Sequence, residues 1–451
     1  MKLVLIKPNI GRREHSLYVD EGRMEPLQLG ILAALTPRDV EIVMYDDRME
    51  EIPYDEGADL VAITVETFTA RRGYEISKAY RERGIPTVMG GMHVMLLPEE
   101  VKNHADSIMI GDAENLWPQL IEDFKRGQLK KEYRGEQPLI PQKSIITRRD
   151  IFEGKGYLPI TLLQFSRGCK YHCNFCASTA YFKGNHYCRD VQDVVREIKS
   201  QKRKLLFFVD DNIVADFEKA KALFTALIPL KVKWVSQGSM DMLEDQELME
   251  LMVKSGCLGL VIGFESINEE NLEYAAKGAN RKRALDHYKK EIQELRKWGL
   301  QTWAAFTLGY DGDTKESIIE TCKFAIENKF CFAAFNILMP YPNTPLYAKL
   351  QEEGRLLYGG NWWLHEDYRF NHAAFIPQNL SPEDLTEVSF WCRRAFNSPW
   401  SIFKRALEPH TNLRNPYRFF TYLIYNPLFR KEVFKKQSMR FGLKEAEKIN
   451  G

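Results

Sequence analysis

The chain has 451 residues, 44% of them hydrophobic and 28% charged, with a formal net charge of +1. That length allows two or three domains, each with its own core. The near-neutral charge excludes a global electrostatic pull toward nucleic acid, so no nucleic-acid partner is expected. No run approaches the roughly 20 apolar residues of a membrane span, and eight scattered cysteines in so long a chain exclude a disulfide-stapled mini-domain. The opening Met1-Lys-Leu-Val-Leu-Ile-Lys-Pro-Asn is too short an apolar run for a secretory leader and reads as a first strand; a cytoplasmic protein in a reducing compartment is expected.

From the amino end, short β-rich runs at 3–6, 40–44, 60–64, 87–89 and 107–110 alternate with helical patterns at 27–35, 71–83 and 116–124. The alternation predicts a doubly wound, Rossmann-like parallel sheet over residues 1–126. Such sheets bind ligands at the carboxyl ends of their strands. Those ends carry Thr64, Thr67, the turn Gly90-Gly91-Met-His93 and Gly111-Asp-Ala-Glu114. Paired glycines permit close approach to backbone, so Thr64, Thr67, Gly90, Gly91, His93 and Glu114 are candidate binding residues. For His93 the capping of a turn weighs equally with lining a site. Residues 127–157 are polar and read as a linker.

A strand at 160–165 then runs into Cys169-Lys-Tyr-His-Cys173-Asn-Phe-Cys176. Thiolates suit iron–sulfur clusters. Three closely spaced cysteines can hold three irons of a four-iron cube and leave the fourth open for substrate; Cys188, twelve residues on, has no short-spaced partner of its own. A zinc site would show two C-x2-C pairs or added histidines at ligand spacing. Strand-like runs follow at 205–209, 233–236, 258–263, 302–307 and 334–338, with helical patterns at 191–200, 217–227, 245–254, 284–298 and 315–328. These βα units predict a partial (β/α)6, TIM-type barrel over 158–353, with chemistry at the carboxyl strand ends. Those ends carry Asp210-Asp211-Asn212, Gln237-Gly-Ser239-Met-Asp241 and Gly263-Phe-Glu265-Ser266. Buried polar groups there need partners, which a ligand or ordinary strand-end capping would provide.

The C-x3-C-x2-C spacing with Phe175 before the last cysteine resembles the signature of the radical S-adenosylmethionine (SAM) family. The resemblance implies a [4Fe–4S] cluster on Cys169, Cys173 and Cys176, whose open iron chelates SAM. An electron from a donor such as flavodoxin or ferredoxin then yields a 5′-deoxyadenosyl radical, and the cofactor carries the chemistry. Phe175, Asp210, Gln237, Ser239 and Glu265 become expected SAM contacts. Gly309, in Gly309-Tyr-Asp-Gly312, resembles the family's adenine-contacting glycine segment, although a helix start capped by Asp313 and Thr314 explains it as well.

The first domain looks like the cobalamin-binding module that precedes one large subclass, on its Gly-Gly-x-His turn, Pro98-Glu99-Glu100 and Gly111 to Glu114. Where many such modules carry Asp-x-His-x-x-Gly, this chain has Asp46-Asp47-Arg48-Met49-Glu50, so cobalamin is expected without a protein histidine as lower ligand. The implied activity is methylation of an unactivated carbon of a hydrophobic small molecule. A radical reaction without methyl transfer (cyclisation, ring contraction, oxidation or C–C coupling) and a non-catalytic cobalamin or cluster sensor are the alternatives.

Beyond 354 the alternation stops and aromatic residues crowd in, from Trp362 and Trp363 to Trp400 and Phe403. The expectation is a helical cap over 354–451 that closes the barrel mouth and shields a carbon radical. The last stretch mixes aromatics with Arg414, Arg418, Arg430, Lys431, Lys435 and Lys436. It reads as an amphipathic helix packed on its own protein, with peripheral contact to a membrane surface or an anionic hydrophobic substrate as the other outcome.

Overall fold

Strands that are apolar along their whole length must be covered on both faces, and the first sheet obeys this: Leu3, Leu5, Ile6, Leu60 and Val61 are all shut away from solvent. The computed structural model describes residues 1–12, 22–135, 145–275 and 285–443. The chain divides into two units, Met1–Leu158 with Asn361–Phe370 and the stretch from Ser438, and Pro159–Gly360 with Asn371–Gln437.

In unit 1, β1 (Lys2–Lys7), β2 (Glu41–Asp46), β3 (Leu60–Thr64), β4 (Thr87–Gly90), β5 (Ser107–Ile110) and β6 (Glu132–Arg134) form one sheet in the order β2-β1-β3-β4-β5-β6. All its pairs are parallel. The helices are α1 (Leu27–Leu35), α2 (Ala70–Arg81), α3 (Met92–Leu96), α4 (Pro98–Val101) and α5 (Ala113–Lys125). The strand order reverses between β1 and β3, which is where doubly wound sheets open their ligand crevice. β6 falls inside the stretch that composition marks as linker; only Tyr133 of its three residues is buried, too little for an apolar pattern to register. The centre of that linker, 136–144, lies outside the described residues.

Unit 1 also takes residues 361–370 and 438–443 away from the expected cap. Trp362 and Trp363 are almost wholly buried, and the Phe68 ring lies 5.1 Å from Trp362, 5.5 Å from Phe370 and 5.9 Å from Phe441. Aromatic crowding signals that a segment must be buried, not which core buries it.

In unit 2, β7 (Thr161–Leu163) leads to a small antiparallel pair, β8 (Ser166–Gly168) and β9 (His186–Cys188), and then to β10 (Leu205–Phe208), β11 (Lys233–Gly238), β12 (Cys257–Glu265), β13 (Gln301–Leu308) and β14 (Phe332–Ile337). The main sheet runs β14-β13-β12-β11-β10-β7, parallel throughout. This is the successive-neighbour order of a partial barrel. Helices α6 (Ala177–Phe182), α7 (Val191–Lys199), α8 (Phe217–Leu227), α9 (Gln246–Lys254), α10 (Glu269–Tyr274), α11 (Leu285–Trp298), α12 (Lys315–Glu327) and α13 (Pro345–Glu352) lie between and after the strands. The predicted α11 begins at 284, outside the described residues. Trp234, Phe208, Phe224, Phe264, Phe306 and Phe335 centre one continuous core.

Three helices follow: α14 (Pro382–Phe396), α15 (Pro399–Ala406) and α16 (Pro416–Lys436). Each starts at a cap-Pro pair, Ser381-Pro382, Ser398-Pro399 and Asn415-Pro416, where the cap side chain accepts a hydrogen bond from an N–H of the first turn. Pro at the first position gives up no bond. The helical character of this region is as expected, but its place differs. Arg405 donates to the carbonyls of Phe330 and Cys331 at 2.9 Å, and Arg418 to those of Leu258 and Gly299 at 2.8 and 2.6 Å. These carbonyls sit at the amino ends of β12, β13 and β14, so α15 and α16 close the end of the sheet opposite the mouth. Strand-end carbonyls without an intra-sheet partner draw buried guanidinium groups there.

Candidate active site

The cysteine loop leaves β8 at the carboxyl end of the unit 2 sheet and ends where Cys176 becomes the residue before α6. Cys173 is buried, and Cys169 and Cys176 are half-buried. Burial pushes the Cys169 thiol up, and the neighbouring Cys176 and Asp211 push the same way. Without a cation the Cys169 thiol holds its proton; iron would replace it and repay the desolvation. Among the described residues no three His, Cys, Asp or Glu side chains gather tightly enough for a single metal ion. A four-iron cube makes no such demand, since each thiolate meets its own iron.

What holds the loop is a ring of polar groups from the neighbouring strand ends. Asp210, fully buried after β10, accepts from the Phe165 N–H at 3.1 Å and from both the N–H and the hydroxyl of Ser166. Burial pushes its carboxyl up to about 7 against the pull of those donors. Asp211 accepts from the Gly168 N–H at 3.0 Å and the Ser178 hydroxyl at 2.6 Å. Asp241, after β11, accepts from the Tyr171 hydroxyl at 2.6 Å, pairs with Lys170 at 3.1 Å and takes the Ser239 hydroxyl. The Asn212 amide, 2.9 Å from Ser239 Oγ, lies 3.9 Å from Cys169 Sγ. Asn174 donates to the Tyr274 carbonyl at 2.7 Å.

Asp210 and Ser239, expected as SAM contacts, therefore have hydrogen-bonding capacity committed to the loop itself. Asp211, Asn212 and Asp241 share that work and were singled out by no spacing rule. Each stands within two residues of a chosen one, which is the only trace the sequence holds of them. Gln237 differs: its half-buried side chain has no hydrogen-bond partner among the described residues. Glu265 is held in the left-handed region at φ 63°, beside a register shift at Gly263, and accepts from the Thr307 hydroxyl at 2.7 Å. A buried non-glycine residue in that region costs about 1–3 kcal/mol and points to a functional constraint.

Phe175 packs on the core with its ring 6.4 Å from Tyr310. The Tyr310 hydroxyl is buried with no hydrogen-bond partner among the described residues. Burial, with Glu265, Asp313 and Cys173 nearby, pushes it well above the usual phenol range against the smaller pull of the Thr307 hydroxyl, which makes no hydrogen bond to it. A buried orphan donor beside Cys173 is what a site awaiting a polar ligand leaves behind. Gly309 sits at φ 103°, where its hydrogen lies against Leu385 and a Cβ would come within 2.6 Å of it. Asp313 does not cap α12; Thr314 does, accepting from the Ser317 N–H. Asp313 instead folds back to accept from the N–H groups of Gly309 and Tyr310 at 2.8 and 3.1 Å, and burial pushes its carboxyl up to about 6.

In unit 1, Thr64, Thr67, Gly90, Gly91, His93 and Glu114 all come to the carboxyl side of β3, β4 and β5. A Cβ on Gly90 would touch only Met109 at 3.8 Å, leaving room above it. Gly91 answers to its own backbone instead: φ is 113°, and a Cβ would stand 2.7 Å from the Val65 carbonyl oxygen. Gly91→Ala is expected to cost about 2–3 kcal/mol, read as a lowered thermal midpoint. His93 is fully buried, with Nδ1 3.3 Å from Thr67 Oγ1 and Nε2 3.0 Å from Glu100, which also accepts from Tyr74 and Trp363. Both ring nitrogens are thus engaged within the unit. Asp46 is bonded by Arg48 and Tyr157, and Asp47 by Arg72 and Arg12, so the loop at 46–50 offers committed carboxylates and no imidazole.

A doubly wound sheet in one unit and, in the other, a partial βα barrel with three thiols on a loop at its carboxyl end define the two parts of the chain. Residues 163–325 match the Radical SAM superfamily. Two relatives from Chlorobaculum tepidum are each 30% identical: bacteriochlorophyllide d C-12(1)-methyltransferase, over 90% of this chain and 89% of its own, and bacteriochlorophyllide d C-8(2)-methyltransferase, over 80% and 84%. The solved structure of the radical SAM methyltransferase TsrM from Kitasatospora setae, with cobalamin and a [4Fe–4S] cluster bound, shares the fold at a TM-score of 0.66 and 14% identity, covering 96% of this chain and 98% of that one. The chain belongs to the radical SAM superfamily, and it shares its fold with the cobalamin-bound TsrM structure.

Proposed function

We propose that the chain methylates an unactivated carbon of a hydrophobic small molecule, with a tetrapyrrole as the first substrate to try. Its cofactors would be a [4Fe–4S] cluster on Cys169, Cys173 and Cys176, SAM, and cobalamin without a protein lower ligand. The observation that carries this reading is that likeness to the two bacteriochlorophyllide d methyltransferases runs through 90% and 80% of the chain and so spans both units. The donor set fits: three thiols on one loop, an orphan buried hydroxyl at Tyr310 and an unpartnered amide at Gln237. When bound, these groups would supply the electron, the carbon-centred radical and the methyl group.

The chain's own residues do the holding. Asp210, Asp211 and Asp241 fasten the cysteine loop, Phe175 packs against Tyr310 beside it, and Gln237, with Glu265 held by Thr307, would meet SAM. Gly309 and the turn tied by Asp313 would present backbone to adenine. In unit 1 Gly90, paired with Thr64 in the sheet and open on its Cβ side to all but Met109, would let a corrin approach the strand ends; the engaged nitrogens of His93 and the carboxylates at 46–47 suit one without a protein nitrogen on cobalt.

The test uses protein purified without oxygen, cluster-reconstituted, incubated with hydroxocobalamin and desalted. Stoichiometric corrin absorption is expected, followed, with substrate and reductant, by equal yields of S-adenosylhomocysteine and 5′-deoxyadenosine. 5′-Deoxyadenosine without matching S-adenosylhomocysteine would move the assignment to a non-methylating radical reaction, and absent corrin would remove the cobalamin part.

A further inference from the structure

Helices α15 and α16 are amphipathic in the wrong sense for a helix facing water. On α16 the buried positions are Arg418, Tyr422 and Asn426, one turn apart, while Tyr417, Phe420, Leu423 and Ile424 are exposed. On α15, Ser401 and Arg405 are buried and Trp400 and Phe403 stand outside, their rings stacked at 6.0 Å. Trp400 is 72% exposed, Phe420 61% and Ile424 62%. The inward polar face is explained by the carbonyls of Phe330, Cys331, Leu258 and Gly299 that Arg405 and Arg418 satisfy. The outward apolar face is not, since a helix against water presents its polar side, and exposed apolar area this contiguous marks an interaction surface. Between the two helices runs a groove of about 410 Å³ with almost wholly apolar walls, edged by Arg430.

The charge around this face selects the partner. Residues 391–436 contain ten Lys and Arg against two Glu, at 408 and 432. Glu408 is buried, and Glu432 is paired with Lys436. Arg394, Lys404, Arg414 and Lys431 are exposed on or beside the helices that carry the apolar side chains. A second copy docking about a two-fold axis would bring this basic collar against itself. Apolar and aromatic side chains within a basic collar match the two layers of an anionic lipid surface, acyl boundary and headgroups. No helix among the described residues is long and apolar enough to cross a membrane, so contact would be parallel to the surface.

We infer that the α15–α16 face docks on the surface of an anionic phospholipid bilayer, at the end of the unit 2 sheet opposite the cysteine loop. This inference stands whatever reaction the loop supports. The full chain is sedimented with vesicles of mixed phosphatidylglycerol and phosphatidylcholine, and with phosphatidylcholine alone. Binding to the anionic vesicles is expected to exceed binding to the neutral ones at least about tenfold and to weaken as salt rises. The triple variant Trp400→Ser, Phe420→Ser, Ile424→Ser alters exposed side chains only; it should keep the circular dichroism and iron content of the parent and bind at least about tenfold less. Failure of the parent to bind anionic vesicles, or unchanged binding by a folded triple variant, would overturn the inference. So would a parent dimer in ultracentrifugation that the triple variant dissolves, which would assign the face to a second copy. If the triple variant is misfolded, Lys404→Glu with Lys431→Glu, both exposed, replaces it: anionic binding must fall at least about tenfold, and unchanged binding overturns the inference.

Discussion

Cys173→Ala is expected to abolish SAM cleavage, with 5′-deoxyadenosine at background under strong reduction and the chain still folded. The side chain is small, and its neighbours are fastened independently. Asn174 is held by Tyr274, Gly168 and Ser178 by Asp211, and Tyr171 by Asp241. The loop therefore keeps its anchors when one thiol is lost, but a cube with two protein thiolates is not retained. Iron and sulfide content should fall together, the far-ultraviolet circular dichroism should be unchanged, and corrin uptake should persist. Persistent 5′-deoxyadenosine formation in this variant would sink the assignment of these cysteines as cluster ligands.

Asp210→Ala should act through the frame instead. Its carboxyl serves three buried donors at Phe165 and Ser166, and leaving buried donors unmatched costs about 1 kcal/mol or more each. A loss of about 3 kcal/mol is expected near pH 5.5, measured by urea unfolding, together with poor cluster retention. The pH dependence has a definite sign. The carboxyl is pushed up to about 7 in the fold from the ordinary carboxylate value of 3.8, so between those values the folded chain binds the extra proton. The contribution of this group to stability is full below about pH 4 and declines as pH rises through about 7. The gap between parent and Asp210→Ala should therefore narrow from pH 5.5 to pH 8, whereas a gap that widens would mean that the carboxylate is stabilised by its donors rather than strained by burial.

Most secondary structure was legible because it follows from periodicity alone. The runs at 60–64 and 107–110 and the helices at 27–35 and 217–227 fall at the predicted bounds, since continuous apolar strands and 3.6-residue stripes need no partner to be recognised. What escaped was short or one-sided: β6 buries one residue, and β8 and β9 are three-residue strands whose pairing is set by the loop between them. At the site, the three cysteines are visible by spacing, because ligands of one cluster on one loop must be close in sequence. Asp211, Asp241, Tyr310 and Asp313 are not, because what singles them out is the partner each meets, or lacks, from another strand.

The sequence by itself determined the parts: two βα sheets, a three-thiol loop at a carboxyl strand end, and a helical, aromatic, basic tail. Only the tertiary structure decided how they are used. It assigned Asp210 to bracing the loop, gave the aromatic segment at 361–370 to unit 1, and set α15 and α16 at the amino ends of the strands with their apolar sides outward. The physical reason is common to all three. Periodicity and spacing record the local needs of a segment, whereas the partner of a buried charge, or the core that takes an aromatic ring, is chosen by residues brought near only when the chain folds.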